Sequence, residues 1–371
     1  MNYNISVLQI CSYYVRTNLY QNLFNSLERF NIEENVYIFV DKDYEINKKY
    51  KSNICISKCY YRFDRLFFHL KHFKVLKDIK SKMDISKYNI IHAHSLFSNG
   101  YIAYKLNKKY NIPYVVAVRN TDVNLFFKKM LHLRNLGIRI LLNAKKVIFI
   151  SESYKKYVIE NYIPVRYREK IENKSIVIPN GIDEFWLNNK FKHRKFPQKN
   201  NLNIIYAGNI DRNKNVETTI KACKILIEQG YKVKYKIIGK IKYNRYRSII
   251  NRHSFVEYIP FCQKEELINY YRSSDIFVMP SKHETFGLVY AEAMSQGLPV
   301  IYTRGQGFDG HFEEGEVGYS VQYDSAEEIV QRIKDIIENY EYISSNCINK
   351  VDKFDWNLIA KNYYNIYKDV L

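Results

Sequence analysis

Short apolar runs alternate with longer amphipathic segments along the whole chain, and this alternation constrains the fold more than any other feature of the sequence. It is typical of βαβ units, in which helices join parallel strands. The runs predicted as strands are 5–10, 36–40, 90–92, 114–118, 147–150, 203–206, 234–238, 256–258, 276–279 and 300–302. The sequence therefore predicts an α/β protein built on parallel sheets.

The two sets of strands are separated by Pro179-Asn180-Gly181 and by a polar, weakly patterned stretch from 188 to 201 that includes Pro197. With 371 residues, and about 100–200 residues per domain as a guide, two domains of similar size are expected. We predict two doubly wound, Rossmann-like domains that face each other across a cleft. Residues 356–371 place apolar side chains at near-helical spacing and predict a closing helix.

The chain is strongly basic, with 58 Lys and Arg residues against 38 Asp and Glu residues and a net charge of +20. Such a surface attracts polyanions, anionic lipid headgroups or phosphorylated small molecules. The alternative is codon bias, because the Lys, Asn, Ile and Tyr content matches a genome rich in A and T. No stretch approaches the ~20 apolar residues of a membrane span, and the first residues lack a signal-peptide pattern, so a cytoplasmic location is expected. The six cysteines are scattered and predict reduced thiols.

The most informative segment runs from Pro280 to Pro299 and follows a predicted strand. It contains a helix that should end at Gly297, since glycine tolerates the left-handed conformation and Pro299 cannot continue a helix. The free amides of Phe286, Gly287 and Leu288 lie at the positive end of the helix dipole. This position favours an anion such as a phosphate.

Two carboxylates flank this predicted anion site. Glu284 precedes the helix and Glu292 lies eight residues later, so at about 1.5 Å per residue they are at most about 12 Å apart. Each carboxylate can accept hydrogen bonds from vicinal hydroxyls, whereas a phosphate between them needs donors. A nucleotide-sugar has the matching order of groups, with a diphosphate between the hydroxyls of its ribose and those of its hexose. The alternative for Glu292 is a solvated or capping residue.

The segment resembles the E-x7-E motif of retaining glycosyltransferases with the GT-B fold, in particular glycosyltransferase family 4, also called glycosyl transferases group 1. The match includes Pro-Ser at 280–281, Phe-Gly-Leu at 286–288, Glu-Ala-Met at 292–294 and Gly-Leu-Pro-Val at 297–300. Further matches lie at 91–94, 178–183, 206–215 and 354–367. The resemblance implies a first domain at 1–183 that is completed by a crossing helix at 354–371, and a nucleotide-sugar-binding domain at 184–353.

In this family, the loop after the first strand of the second domain supplies an Arg and a Lys to the donor diphosphate. Lys214 matches the Lys, but Asn209 stands where the Arg is usual, and nearby Arg212 is a candidate replacement. Gly208 permits close approach of the backbone to the diphosphate, or simply makes a turn. The resemblance thus implies that Gly208, Asn209, Arg212, Lys214, Glu284, the 286–288 amides and Glu292 bind the donor, with Glu284 and Lys214 also catalytic.

The acceptor side departs from the family pattern. Arg119 stands where many members carry a His, and it cannot act as a base because it stays protonated. This agrees with the front-face mechanism usually proposed for the family, in which the donor phosphate takes the acceptor proton. Arg119 is a candidate catalytic residue and a candidate phosphate or carboxylate ligand, the alternative being a pair with Asp122. His94, Asn120 and Arg16 are further candidates near the acceptor, and for His94 a structural role is the alternative.

Gly305-Gln-Gly307-Phe-Asp-Gly310 spells a dinucleotide-binding pattern, but the residues after it do not sustain the helix that such a fingerprint opens. A nicotinamide site is therefore not expected. The sequence contains no P-loop and no Asp-x-Asp motif, so we predict no cofactor and no metal requirement.

The leading interpretation is a hexosyltransferase (EC 2.4) that moves a sugar, with retention, from a UDP- or GDP-sugar to a hydroxyl of a glycan. The acceptor is expected to be lipid-linked, in the synthesis of capsule, O-antigen or a similar cell-surface polysaccharide. The alternatives are a GT-B epimerase or phosphorylase and, more remotely, a nucleic-acid-binding protein. The basic and aromatic stretch at 60–74 suits an anionic membrane interface, or is a helix packed by its aromatic side.

Overall fold

The computed structural model describes residues 4–46, 50–191 and 200–371. The predicted linker around Pro197 lies largely outside these residues. The chain forms two compact units, of which the first comprises residues 1–150, 155–179 and 356–371 and the second residues 151–154 and 180–355. The predicted domain boundary at 183/184 stays a prediction; the division between the compact units falls at 179/180.

The first unit contains a seven-stranded parallel sheet in the order β3-β2-β1-β4-β5-β6-β7. Its strands are β1 (Ile5–Ile10), β2 (Ile32–Asp41), β3 (Ile54–Tyr60), β4 (Ile90–Ala93), β5 (Tyr114–Ala117), β6 (Lys146–Phe149) and β7 (Ser175–Val177). The central strands β1, β4 and β5 are buried along their whole length, as expected for a parallel sheet covered on both faces.

Helices cover this sheet and complete its core. They are α1 (Asn18–Leu27), α2 (Phe68–Lys82), α3 (Ser98–Tyr110), α4 (Arg134–Asn143), α5 (Glu152–Tyr162), α6 (Val165–Glu172) and, at the end of the chain, α14 (Trp356–Val370). The first residues of α5 group with the second unit. Helix α14 buries Ile359, Tyr363 and Ile366 in the core of the first unit, so the predicted closing helix is present.

The second unit contains a six-stranded parallel sheet in the order β10-β9-β8-β11-β12-β13. Its strands are β8 (Asn201–Ala207), β9 (Lys232–Ile238), β10 (Val256–Ile259), β11 (Ile276–Val278), β12 (Val300–Thr303) and β13 (Gly318–Val321). Its helices are α7 (Glu184–Asn188), α8 (Val216–Glu228), α9 (Arg245–Asn251), α10 (Lys264–Arg272), α11 (Leu288–Ser295), α12 (Ala326–Glu338) and α13 (Tyr340–Lys350).

The predicted α/β class with two parallel, Rossmann-like sheets is confirmed. Each of the ten predicted strands overlaps an observed one, and the three strands that the prediction missed are β3, β7 and β13. All three lie at a sheet edge. An edge strand is covered less completely than a central one, and β7 is only half-buried throughout, so its apolar pattern is weak.

Among the described residues, no helix has both the length and the apolar character needed to cross a membrane. The six cysteines are free thiols.

Candidate functional site

The predicted donor-binding residues collect at one edge of the second sheet. Strands β8 and β11 are parallel neighbours, so their carboxyl ends lie side by side. The loop at 208–215 follows β8, and the loop at 280–287 follows β11. In open α/β sheets, ligands bind at the carboxyl ends of the strands.

Lys214 and Glu284 meet across these two loops. The Lys214 Nζ donates a hydrogen bond to the Glu284 Oε2 over 2.5 Å, and the two side chains are 23% and 13% exposed. The other carboxylate oxygen, Oε1, accepts a hydrogen bond from the Thr285 amide over 3.0 Å. The carboxylate is thus fixed in place while both charged groups stay accessible to a ligand.

Asn213 joins the two loops by hydrogen bonds, although it is not among the site residues predicted from the sequence. Its side chain donates to the His283 carbonyl over 2.8 Å and accepts from the His283 amide over 3.0 Å. Its own carbonyl accepts from the Lys282 amide over 2.8 Å. Because these contacts join residues about 70 positions apart, no local sequence pattern indicates them.

Hydrogen bonds between neighbouring residues determine the conformation of the loop after β8. The Asp211 Oδ1 accepts from the amides of Asn213 and Lys214 over 2.9 and 3.0 Å, which is an Asx turn. Gly208 has φ +149° and lies against Gly239, where an added Cβ would come within 2.0 Å of the Gly208 carbonyl oxygen. The aspartate that begins the sequence Asp-Arg-Asn-Lys is typical of an Asx turn, so this turn could have been predicted from the sequence. Asn209 and Arg212 lie on exposed parts of this loop.

Helix α11 begins at Leu288, so the Phe286 amide, which was predicted to lie at the helix start, precedes the helix by two residues. Gly287 precedes it with φ +78°, and an added Cβ there would lie 2.5 Å from the Tyr290 ring, so this position requires glycine. The Phe286 side chain is buried against His311 and Phe354, which leaves the backbone of this residue, not its ring, for contact with a ligand.

The loop after β12 supports the Glu284 segment. The Gln306 Oε1 accepts from the Glu284 amide over 2.9 Å, and the Gly307 amide donates to the Glu284 carbonyl over 2.8 Å. A Cβ at Gly307 would lie 1.8 Å from the Thr285 carbonyl oxygen. No helix follows Gly310, so the interpretation that this is not a dinucleotide fingerprint agrees with the structure.

Glu292 lies within α11 in an environment that disfavours its charge. Burial and the nearby Asp183 carboxylate raise its pKa to about 7, while Lys264 acts in the opposite direction. Lys264 itself donates to Asp183 over 2.7 Å. Glu292 therefore changes its ionisation near neutral pH.

The polar residues at the matching edge of the first sheet are buried and bonded to each other. The His94 Nε2 lies 2.8 Å from the Gln9 Oε1, the Gln9 amide donates to the Tyr367 hydroxyl over 3.0 Å, and that hydroxyl lies 2.7 Å from the His92 Nδ1. His92 and His94 have no exposed surface. Burial, together with the charge of Arg119, lowers the pKa of both rings, to about 3 for His92.

The structure therefore favours the structural role of His94, the alternative that the sequence left open. A ring that lies edge-on to Tyr20 and Phe24 in the interior does not line a cleft. The His94 Nε2 carries the proton that Gln9 accepts, so both histidines are neutral parts of one network.

Arg119 lies beside this network and is half-buried. Burial opposes its charge, but Tyr20, Tyr363 and Cys11 favour it more strongly and raise the pKa of Arg119 above its ordinary value. Asp122 is buried and accepts from the amides of Leu96, Phe97 and Arg119. Burial raises the pKa of Asp122 to about 6.

Of the remaining predicted acceptor-side residues, Arg16 and Asn120 are exposed. Arg16 ends a short 3-10 helix (Tyr14–Arg16) that follows β1, and Asn120 follows β5, so both lie at the carboxyl edge of the first sheet. The Asn120 Oδ1 accepts from Asn124 over 2.8 Å.

Comparison with known proteins agrees with this fold and motif. The family "Glycosyl transferases group 1" matches residues 188–353, and "Glycosyltransferase Family 4" matches residues 26–184. These two matches together cover most of both units. The chain belongs to the GT-B glycosyltransferases of the family 4 type, and it is a glycosyltransferase (EC 2.4).

The chain is 25% identical over 315 residues to an uncharacterized glycosyltransferase of Methanocaldococcus jannaschii, covering 81% of this chain and 83% of the relative. It is 28% identical to the capsular polysaccharide biosynthesis glycosyltransferase CapM of Staphylococcus aureus over 62% of each chain. The crystal structure of Anabaena HepE in complex with UDP-glucose superposes with a TM-score of 0.66 at 16% identity, covering 99% of this chain and 100% of that one.

Proposed function

We propose that this glycosyltransferase transfers a sugar, with retention of anomeric configuration, from a UDP- or GDP-sugar to a hydroxyl of a glycan. The observation that carries the proposal is the Lys214–Glu284 pair beside the start of α11. It places a cation, the backbone amides at and just before the start of α11, and a carboxylate at the carboxyl edge of one sheet. The cation and the amides suit a diphosphate, and the carboxylate suits the hydroxyls of a sugar.

In the proposed complex, Lys214 and the amides of residues 286–288 bind the diphosphate. Glu284 accepts hydrogen bonds from hydroxyls of the transferred sugar, and Glu292 accepts them from the ribose. Arg212, exposed on the same loop as Lys214, is the candidate second cation in place of the usual Arg at Asn209. The binding of UDP-glucose by Anabaena HepE, a protein of the same fold, supports a nucleotide-sugar donor.

The proposed reaction needs no nucleophilic side chain. An oxygen of the donor phosphate accepts the proton of the acceptor hydroxyl, the acceptor oxygen bonds to the anomeric carbon on the same face, and the bond to the diphosphate breaks. Lys214 and the helix dipole stabilise the charge that develops on the leaving diphosphate. The first unit supports this route, because Arg119 stays protonated and His94 is buried.

We further propose that the acceptor is a lipid-linked glycan in the synthesis of a cell-surface polysaccharide, and that the enzyme works in the cytoplasm at the inner face of an anionic membrane. The resemblance to CapM, named for capsular polysaccharide biosynthesis, and the net charge of +20 support this proposal. We propose no nucleic-acid partner. The prediction that no metal is required stays a prediction, and unchanged transfer after EDTA treatment is its test.

A thermal-shift panel of nucleoside diphosphates and their sugars tests the donor. A ligand that binds only the folded state raises its melting temperature by mass action. We expect one nucleotide series to stabilise the wild type and to lose this effect in Lys214→Ala. No stabilisation by any member of the panel would contradict the proposal.

Product analysis then tests the reaction. We expect free nucleoside diphosphate only when an acceptor is present, and an anomeric proton coupling in the product that matches the donor. Release without acceptor, or isomerised donor, would favour the epimerase or phosphorylase alternative. Full activity in both Glu284→Ala and Lys214→Ala would remove the assignment of the site.

A further inference from the structure

Six large apolar side chains are exposed within thirteen residues of the first unit. They lie on and directly beside a short 3-10 helix (Arg62–Leu66) and the first turns of α2, and they are 44% to 79% exposed. This set, the apolar ridge, consists of Tyr61, Phe63, Leu66, Phe67, Leu70 and Phe73. Single exposed apolar residues are normal in proteins, but a contiguous group marks an interaction surface.

The ridge is not the face by which α2 packs. That face consists of Phe68, His72, Val75 and Ile79, which are buried at helical spacing. The Phe68 ring contacts Tyr101 of α3 at 5.5 Å between centroids. The helix thus has one apolar stripe in the core and a second one in solvent. The alternative from the sequence, a helix packed by its aromatic side, accounts only for the first stripe.

Positive charge surrounds the ridge. Residues 61–82 contain seven Lys and Arg residues and two Asp residues. Asp64 is buried and accepts from Lys74 over 2.7 and 2.9 Å. Asp78 accepts from the Tyr37 hydroxyl over 2.7 Å and lies 3.3 Å from Lys82. Both acidic groups therefore face basic partners, and the exposed charge of this surface is positive.

The contacts of Lys74 join the charged and aromatic parts of this surface. Its Nζ lies 5.2 Å from the centre of the Tyr61 ring and 5.7 Å from that of Phe63, and the Tyr61 and Phe63 rings stack at 5.7 Å. Asp64 also accepts from the Tyr61 amide over 2.7 Å. These contacts fix the rings in a solvent-facing position.

We propose that the apolar ridge docks on the surface of an anionic lipid bilayer. The side chains of Phe63, Leu66 and Phe73 enter the interface, and Arg62 and Lys77 contact the headgroups. This inference rests on the proposed function, because a lipid-linked acceptor is presented at such a surface. Pairing of two ridges in a dimer is disfavoured, since it would bring two positively charged rims together, whereas an anionic bilayer complements both features.

Cosedimentation of the full chain with phosphatidylcholine vesicles, with and without phosphatidylglycerol, tests the proposal. We expect binding to the anionic vesicles, weakened by added salt. The double variant Leu66→Ser/Phe73→Ser should bind at least tenfold more weakly. The matched control is Val165→Ser/Tyr342→Ser, which removes two side chains of similar exposure, 76% and 65%, outside the ridge and should bind like the wild type.

Equal binding by the ridge variant and the wild type would overturn the proposal, as would equal binding to neutral and anionic vesicles. A dimer that dissociates in the ridge variant, measured by sedimentation velocity, would assign the ridge to a second copy of the chain and also overturn it. Nucleotide thermal shifts on the same variant separate the two proposals. In the ridge variant, retained nucleotide shifts with lost vesicle binding support the ridge. In the wild type, ridge-dependent vesicle binding without any nucleotide shift supports the ridge while contradicting the proposed function.

Discussion

The two parallel sheets use their carboxyl edges in different ways. In the second unit, Lys214 and Glu284 form a charged pair that remains partly exposed. In the first unit, His92, His94 and Gln9 form a neutral network without exposed surface. The same type of sheet edge therefore carries an accessible charged site in one unit and a closed polar core in the other. A substitution at the Lys214–Glu284 pair should therefore affect the reaction, and a substitution in the histidine network should affect the stability of the fold.

The largest effect is expected from Lys214→Ala. Loss of a cation that stabilises the leaving diphosphate should lower kcat about 100- to 1,000-fold. The midpoint of urea unfolding should change little, because the side chain is partly exposed. Steady-state transfer assays provide the measurement, with Lys221→Ala, an exposed lysine on α8, as control. An equal loss of activity in the control would contradict a specific role for Lys214.

His94→Ala should show the opposite behaviour. It removes the hydrogen bond to Gln9 and leaves a cavity beside Tyr20 and Phe24, which should lower the free energy of unfolding by about 3 kcal/mol. Urea titration measures this loss, with the exposed His132→Ala as control. If His94→Ala lost transfer while keeping full stability, the comparison between the two edges would fail.

The pH dependence of donor binding tests Glu292. With its pKa raised to about 7 by burial, the carboxylate is about 9% ionised at pH 6 and about 91% at pH 8. If the ionised form binds the ribose hydroxyls, nucleotide affinity should rise roughly tenfold over this range. Calorimetric titration of wild type and Glu292→Gln checks this, because the variant keeps only the pH dependence of the nucleotide itself.

The raised pKa of Glu292 also makes the stability of the fold depend on pH. Donor affinity should rise with pH, whereas the stability of the fold should fall. The unfolded chain ionises at Glu292 at lower pH than the folded protein. The contribution of Glu292 to stability is therefore complete below the pKa of the unfolded chain and is lost as the pH rises toward 7.

Asn213→Ala should have the smallest effect. It removes the two side-chain hydrogen bonds that join the loops after β8 and β11, so the Lys214–Glu284 geometry should loosen. We expect kcat/KM to fall about fivefold, equivalent to about 1 kcal/mol. The control is Asn161→Ala, whose side chain bonds only within its own helix at Tyr157. Unchanged kinetics in Asn213→Ala would show that the loops hold their geometry without this contact.

Consecutive residues are enough to predict the parallel α/β architecture and the segment that carries the site. Central strands are buried on both faces, so their apolar runs are continuous and visible. The glycine at 287 and the carboxylate at 284 are likewise local requirements of one loop and one helix start. Such features depend on residues that are close together in the sequence, so they can be predicted from it.

Which polar residues are accessible follows only from the three-dimensional packing of the chain. His94 was a candidate for the acceptor side, and only the packing of Tyr20, Phe24 and Gln9 around it shows that it is internal. The edge strands, the Asn213 contacts between two loops and the apolar ridge depend in the same way on which distant segments cover a residue. Burial is a property of the assembled chain, because it is set by neighbours that are tens or hundreds of residues away in sequence.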